Sequence, residues 1–173
     1  AFCIFTPQSK ARSCWSAVEI LLRKNLMFIG NADEIRREIN SVRFSNKKSE
    51  YLVKAREQLL SGSRITIKDR LNRLDSPIKM REWLVSNVKG IGYKEASHFL
   101  RNIGYGDSIA ILDRHILKNL KAFGLIKEIP NNLSQKIYME HENKMIDFAG
   151  ILEIPVGHLD FVFWYRETGE VFK

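Results

Sequence analysis

The sequence predicts an all-α fold, on three observations. Apolar residues recur at helical spacing through almost the whole 173-residue chain. Helix-start signals stand before several of those segments. No segment combines sustained period-2 alternation with hairpin turn residues. With 45% hydrophobic residues the chain can bury a core, as one domain or as two small lobes. It contains no apolar run of the roughly 18 residues that a membrane-spanning helix needs.

In chain order, Ala1-Phe2-Cys3-Ile4-Phe5 reads as the buried start of a helix rather than a leader. Trp15, Val18, Leu21 and Leu22 then fall at helical spacing. Asn31, three before Glu34, predicts a capping box opening the helix that carries Ile35 and Ile39. From Asn46 to about Leu60 a charged helix is expected, with Tyr51, Leu52, Ala55 and Leu59 on one face. Ser61 to Asp75 is polar and basic and reads as a long loop or an irregular helix. Ser76-Pro77 supplies an N-cap and a first-turn proline, and that helix runs past Trp83 and Leu84 to about Asn87. Further helices are expected over 93–103, 114–123, 134–149 and 157–166.

The formal net charge is +8, which favours a polyanionic partner, because each neutralised phosphate releases condensed counterions. Cys3 and Cys14 are the only cysteines. Without spaced His or Cys partners they make neither a zinc site nor a disulfide framework, and they read as reduced thiols.

The informative stretch begins at Val88-Lys89-Gly90-Ile91-Gly92-Tyr93-Lys94. One helix ends, two glycines turn the chain and another helix begins. Uncovered amides at such a turn, beside basic Lys89 and the positive end of a helix dipole, can hold a phosphate. In the second helix, Ala96, Phe99, Leu100 and Ile103 cluster on one side. Lys94 points the other way, flanked by Ser97, His98 and Arg101; a plain surface lysine would look the same. Asp113 follows the apolar run Ile109-Ala110-Ile111-Leu112 and reads as the N-cap of the next helix. That role holds a carboxylate rigidly and does not exclude chemistry. His115 is either a first-turn polar residue or a phosphate contact.

The run Lys89-Gly90-Ile91-Gly92-Tyr93-Lys94-Glu95-Ala96-Ser97-His98-Phe99-Leu100-Arg101-Asn102, followed by Ile111-Leu112-Asp113-Arg114-His115, resembles the signature of the helix-hairpin-helix DNA glycosylase superfamily. It is most similar to the compact archaeal and bacterial 8-oxoguanine DNA glycosylase/AP lyase family. The resemblance implies one domain over 1–173, two helical lobes flanking a DNA-binding cleft, with the hairpin motif at about 79–103. It implies Lys94 as the nucleophile and Asp113 as the catalytic aspartate. Lys89, Gly90, Gly92 and His115 would contact DNA. Within Phe5-Thr6-Pro7-Gln8-Ser9, Gln8 would fill the gap beside the flipped base; a helix-start role is the alternative. Within Arg43-Phe44-Ser45-Asn46-Lys47-Lys48-Ser49-Glu50-Tyr51, Phe44 would contact the damaged base or wedge the duplex; a core aromatic is the alternative. In the tail Trp164-Tyr165-Arg166-Glu167-Thr168-Gly169-Glu170-Val171-Phe172-Lys173, Trp164 would stack and Lys173 would help recognise the lesion.

The resemblance further implies a bifunctional glycosylase/AP lyase acting on duplex DNA that contains 8-oxoguanine or abasic sites. The enzyme would be monomeric, cytoplasmic and nucleoid-associated in a prokaryote. No catalytic metal or redox cofactor is implied; a structural alkali-metal ion on hairpin carbonyls is compatible with the superfamily. Two departures from the family are expected: the helical segment that normally precedes the residues beginning this chain is absent from it, which would expose the apolar start of the first helix, and the stretch from Leu60 to Pro77 is longer than in typical compact members. Endonuclease III-like pyrimidine glycosylases and adenine glycosylases usually carry a four-cysteine iron–sulfur cluster, which two cysteines disfavour. A noncatalytic helix-hairpin-helix DNA-binding module is the remaining rival, and it has no need of a Lys94/Asp113 pair.

Overall fold

A computed structural model of the chain describes residues 1–62 and 64–171. It divides into two compact units, one of Ala1–Asp75 with Trp83–Ile91 and one of Ser76–Glu82 with Gly92–Val171. Helix dominates both, as expected.

The first unit opens with α1 (Phe2–Phe5), a single turn that buries Cys3, Ile4 and Phe5. Next come α2 (Ala11–Arg23), α3 (Leu26–Ile29), α4 (Ala32–Glu38) and α5 (Ser45–Leu59). The buried stripe of α2 is Cys14, Ala17, Val18 and Leu21. Trp15 and Leu22, which share the helical spacing, remain 47% and 50% exposed. At about 100° per residue each lies roughly a quarter turn from that stripe, and Trp15 packs edge-on with Phe2, ring centroids 6.0 Å apart. The capping box at α4 forms as the sequence predicts: Glu34 N–H donates to Asn31 Oδ1 at 3.0 Å, and Asn31 N–H donates to Glu34 Oε2 at 2.8 Å.

The polar stretch after α5 departs from a purely helical pattern. β1 (Leu60–Ser61) and β2 (Arg64–Ile65) pair antiparallel, Leu60 opposite Ile65 and Ser61 opposite Arg64. Gly62, at φ +60, allows the chain to reverse where a side chain would strain it. Thr66 then fastens the return through its N–H and Oγ1, both donating to Leu59 O, at 2.8 and 3.0 Å. A short helix, α6 (Ile67–Leu71), follows and buries Leu71.

Helix α7 (Pro77–Asn87) is shared by the two units, which divide between Glu82 and Trp83. Its start is the expected one, with Lys79 N–H donating to Ser76 Oγ at 3.3 Å. The second unit continues with α8 (Tyr93–Asn102), α9 (Arg114–Ala122), α10 (Gln135–Ile151) and α11 (Val156–Thr168). The bounds expected from spacing hold to within two residues at every end. Its core brings Leu112, Ile116, Leu120, Tyr138, Met145, Leu159 and Phe163 together. No helix among the described residues is long and apolar enough to cross a membrane.

Candidate active site

Lys94 is the second residue of α8, which opens at Gly92. Its Nζ lies 2.8 Å from Glu95 Oε1, and the lysine side chain is only 25% exposed. A Cβ on Gly92 would stand 3.1 Å from Glu95 Oε2, so the missing side chain leaves room for that carboxylate at the helix start. Glu95 is a site residue that sequence reasoning passed over, although it directly follows the lysine.

The outward face expected around Lys94 is not a solvated one. Ser97 and His98 are buried, and Ile103, assigned to the apolar side, is 45% exposed. The reason is a polar lining. Arg81 NH1 donates to Ser97 Oγ at 3.2 Å, and the Ser97 hydroxyl lies 3.3 Å from Tyr138 OH, to which it can donate. Arg101 pairs with Asp160 at 2.8 Å, its guanidinium 4.5 Å from the Phe161 ring centroid.

The same polar group fixes the approach to Asp113. Arg81, fully buried, forks onto both oxygens of Glu142 at 2.6 and 2.7 Å. Glu142 Oε1 also accepts the Ala110 N–H at 2.8 Å. Tyr138 OH lies 2.8 Å from Ala110 O, to which it can donate, and it accepts from Leu112 N–H at 3.3 Å. Burial alone would lower the Arg81 guanidinium, but the hydrogen-bonded Glu142 carboxylate more than offsets this and raises it. Burial pushes the Tyr138 phenol up, so it stays a protonated donor. A buried pair of this kind contributes definition of position more than net stability. Here it ties α7, α8 and α10 to the extended segment that ends at Asp113.

Asp113 caps α9 as its place in the sequence implies, Oδ1 accepting from His115 N–H and Ile116 N–H at 2.9 Å each. The His115 ring packs edge-on to Trp164, centroids 4.9 Å apart. Its Nδ1 is buried, 3.8 Å from Glu167 Oε2. His115 therefore faces α11 with one nitrogen. The structure brings Asp113, His115 and Trp164 into one neighbourhood of the second unit.

In the first unit, Lys89 is exposed and Gly90 takes φ +88. A Cβ at Gly90 would strike Tyr51 Cδ2 at 2.4 Å, so both the angle and the space require glycine. Gln8 is exposed at φ 55, and α2 is opened by Lys10, so the helix-start reading of Gln8 does not hold. Phe44 is 53% exposed at φ 60, which overturns its reading as a core aromatic. Left-handed backbone at two non-glycine residues costs on the order of 1–2 kcal/mol each. Lys173 lies outside the described residues.

A family model described as 8-oxoguanine DNA glycosylase matches residues 1–154. The chain belongs to this family. An 8-oxoguanine DNA glycosylase/AP lyase of Fusobacterium nucleatum subsp. nucleatum is 48% identical over 173 residues, covering 100% of this chain and 80% of that protein. One of Methanocaldococcus jannaschii is 46% identical over 131 residues, covering 76% and 60%. Among solved structures, the Methanocaldococcus jannaschii 8-oxoguanine glycosylase/lyase in complex with a 15mer DNA containing 8-oxoguanine superposes with TM-score 0.89 at 37% identity, over 99% of this chain and 80% of that one. The 8-oxoguanine DNA glycosylase of Thermotoga maritima gives 0.84 at 34% identity, over 99% and 79%. The fold is that of the helix-hairpin-helix glycosylases, with one two-residue strand pair added to an otherwise helical pattern among the described residues.

Proposed function

We propose that this chain is a bifunctional DNA repair enzyme that excises 8-oxoguanine from duplex DNA and then cleaves the strand as an AP lyase. The observation that carries the reading is Lys94, held at the start of α8 just past the glycine turn, in the same unit as the Asp113 carboxylate that caps α9. Family membership and 48% identity to a glycosylase/AP lyase support the substrate.

The chemistry follows from an amine nucleophile. The damaged base leaves the stack, at a cost that side chains entering the gap repay. Gln8 fits the gap, exposed at the tip of its turn. Phe44 and Trp164 supply stacking, worth about 1–3 kcal/mol per base. Stacking cannot separate 8-oxoguanine from guanine, which differ mainly at C8 and by the proton on N7. An acceptor must face N7–H, and a carboxylate or a backbone carbonyl would serve. Lys94 gives up its proton, leaves Glu95 and attacks C1′ as the neutral amine. The C1′–N9 bond breaks with its electron pair going to the base, which takes up a proton. Asp113 stabilises the positive charge developing on the sugar. Opening of the ring leaves a Schiff base on Lys94. Its electron demand acidifies the C2′ proton; loss of that proton expels the 3′ phosphate by β-elimination.

Lys89, the Gly90 and Gly92 amides and His115 would grip the backbone, which positions DNA without reading sequence. Carbonyls of the 88–91 turn are hard oxygen donors of the type an alkali-metal ion takes, and Gly90, at φ +88, shapes that turn. Such an ion would brace the turn and take no part in the reaction. A monomer working at the nucleoid fits this chemistry.

The test is covalent trapping. The protein is incubated with a labelled duplex bearing one 8-oxoguanine, and borohydride is added. A protein–DNA band is expected with the native chain and none with Lys94→Gln, which should still bind lesion DNA. Normal cleavage by Lys94→Gln would overturn the assignment. A band with an abasic duplex but none with the lesion would move the base specificity elsewhere. No band with either would leave a DNA-binding module.

A further inference from the structure

The two exposed residues with left-handed backbone at the proposed lesion-handling surface, Gln8 and Phe44, sit on separate turns of the first unit. The turns are fastened to each other. Arg43 N–H, next to Phe44, donates to Ser9 Oγ at 3.0 Å, next to Gln8. Beneath both lies Lys48, one turn into α5 and 4% exposed. Its three N–H donors reach Phe5 O at 2.6 Å, Pro7 O at 2.7 Å and Ser9 Oγ at 3.0 Å. Those acceptors flank Gln8 on both sides. Lys48 N–H in turn donates to Phe44 O at 3.0 Å, so the lysine that holds the Gln8 turn also accompanies the Phe44 turn into its helix.

We propose that Lys48, acting through Ser9, is a positioning residue for base excision: it locks the Gln8 and Phe44 turns in one strained arrangement ready to engage a flipped lesion. The proposal rests on the functional reading above. A lysine buried on backbone carbonyls is costly to keep, since its ammonium gives up bulk hydration. Left-handed strain at non-glycine residues persists only where the surroundings over-determine it, and it gathers at functional sites. Lys48 meets the first condition and bonds to the segments that carry the two residues meeting the second. Lys47, the preceding residue, is exposed and has neither feature. Lys48 touches no reacting atom in this scheme; it acts by setting where Gln8 and Phe44 stand.

The test separates base removal from sugar chemistry. Gap filling and stacking matter while a base must leave the stack, and an abasic site has no base to unstack. Lys48→Met keeps the length of the chain and removes the donors. Ser9→Ala removes the shared hydroxyl with little change in packing. Single-turnover excision of 8-oxoguanine should fall about 100-fold in Lys48→Met, the loss expected for an ångström-scale misplacement, and about 10-fold in Ser9→Ala. Borohydride trapping on a preformed abasic duplex should stay near the native level in Ser9→Ala and in any folded Lys48→Met. Should Lys48→Met not fold, Ser9→Ala decides alone. Native excision by Ser9→Ala, or equal losses of excision and abasic trapping, overturns the proposal. Native protein run alongside keeps the two readings apart: if it traps on abasic DNA but never excises 8-oxoguanine, the substrate assignment has failed and the clamp falls with it.

Discussion

Asp113 carries two jobs that a pair of substitutions can separate. Its Oδ1 accepts two backbone N–H groups at the start of α9, a structural duty that needs an oxygen and no charge. The proposed catalytic duty needs the charge. Asparagine caps about as well as aspartate, whereas alanine loses about 1 kcal/mol of helix stability. Asp113→Asn should therefore unfold within about 0.5 kcal/mol of the native chain in denaturant, and Asp113→Ala at least that 1 kcal/mol lower. Both should lose base excision alike, by about 100- to 1,000-fold, the scale on which preorganised electrostatic groups act. Single-turnover excision measured beside equilibrium unfolding checks both halves. An Asp113→Asn enzyme that excises at the native rate would reduce the residue to its cap. One that loses activity while keeping its stability separates the charge from the cap.

At the scale of elements, the glycine turn between α7 and α8 is the place where backbone chemistry is least replaceable. Gly90 needs φ +88 and also has the Tyr51 ring where a Cβ would go. Gly104 and Gly124 share a positive φ but have open space around that position. Gly90→Ala should cost about 1–3 kcal/mol of stability, the range for strained backbone, and weaken binding to damaged and undamaged duplex alike, since the turn is expected to hold phosphates. Gly124→Ala, with strain but no clash, should leave binding unchanged. Fluorescence anisotropy on both duplexes reads the difference, and a Gly90→Ala protein that binds both natively would remove the turn from the interface. Helix starts such as this one were legible because their signals are local: Asn31 with Glu34, Ser76 with Pro77, and Asp113 each contact groups within three residues. The strand pair was not, because Leu60 and Ile65 offer no alternation long enough to register. Nor was the burial of Lys48 beside exposed Lys47, since its partners come from 39 to 43 residues away in sequence. The same holds for Arg81, whose partner Glu142 is 61 residues on. Local codes set the helices; the network that positions the candidate site is long-range and charged, and periodicity carries no trace of it.

For the whole molecule, the decisive quantity is the net charge of +8. Charge that serves DNA binding must show in the salt dependence of affinity, because phosphate contacts release counterions into a bath whose concentration opposes them. The logarithm of affinity for undamaged duplex should fall linearly with the logarithm of salt, by roughly 0.9 per phosphate neutralised. Excision within the bound complex should respond differently. Lys94 with Glu95, Arg81 with Glu142 and Arg101 with Asp160 are partly or wholly buried pairs, and screening over a Debye length of about 8–10 Å acts weakly on such groups. With enzyme saturating at every salt concentration, the single-turnover rate should stay nearly constant while affinity collapses. A rate that tracks affinity would mean that the chemical step itself leans on exposed charge, contrary to a site built from enclosed pairs. An affinity indifferent to salt would mean that the positive charge is spent on something other than phosphate.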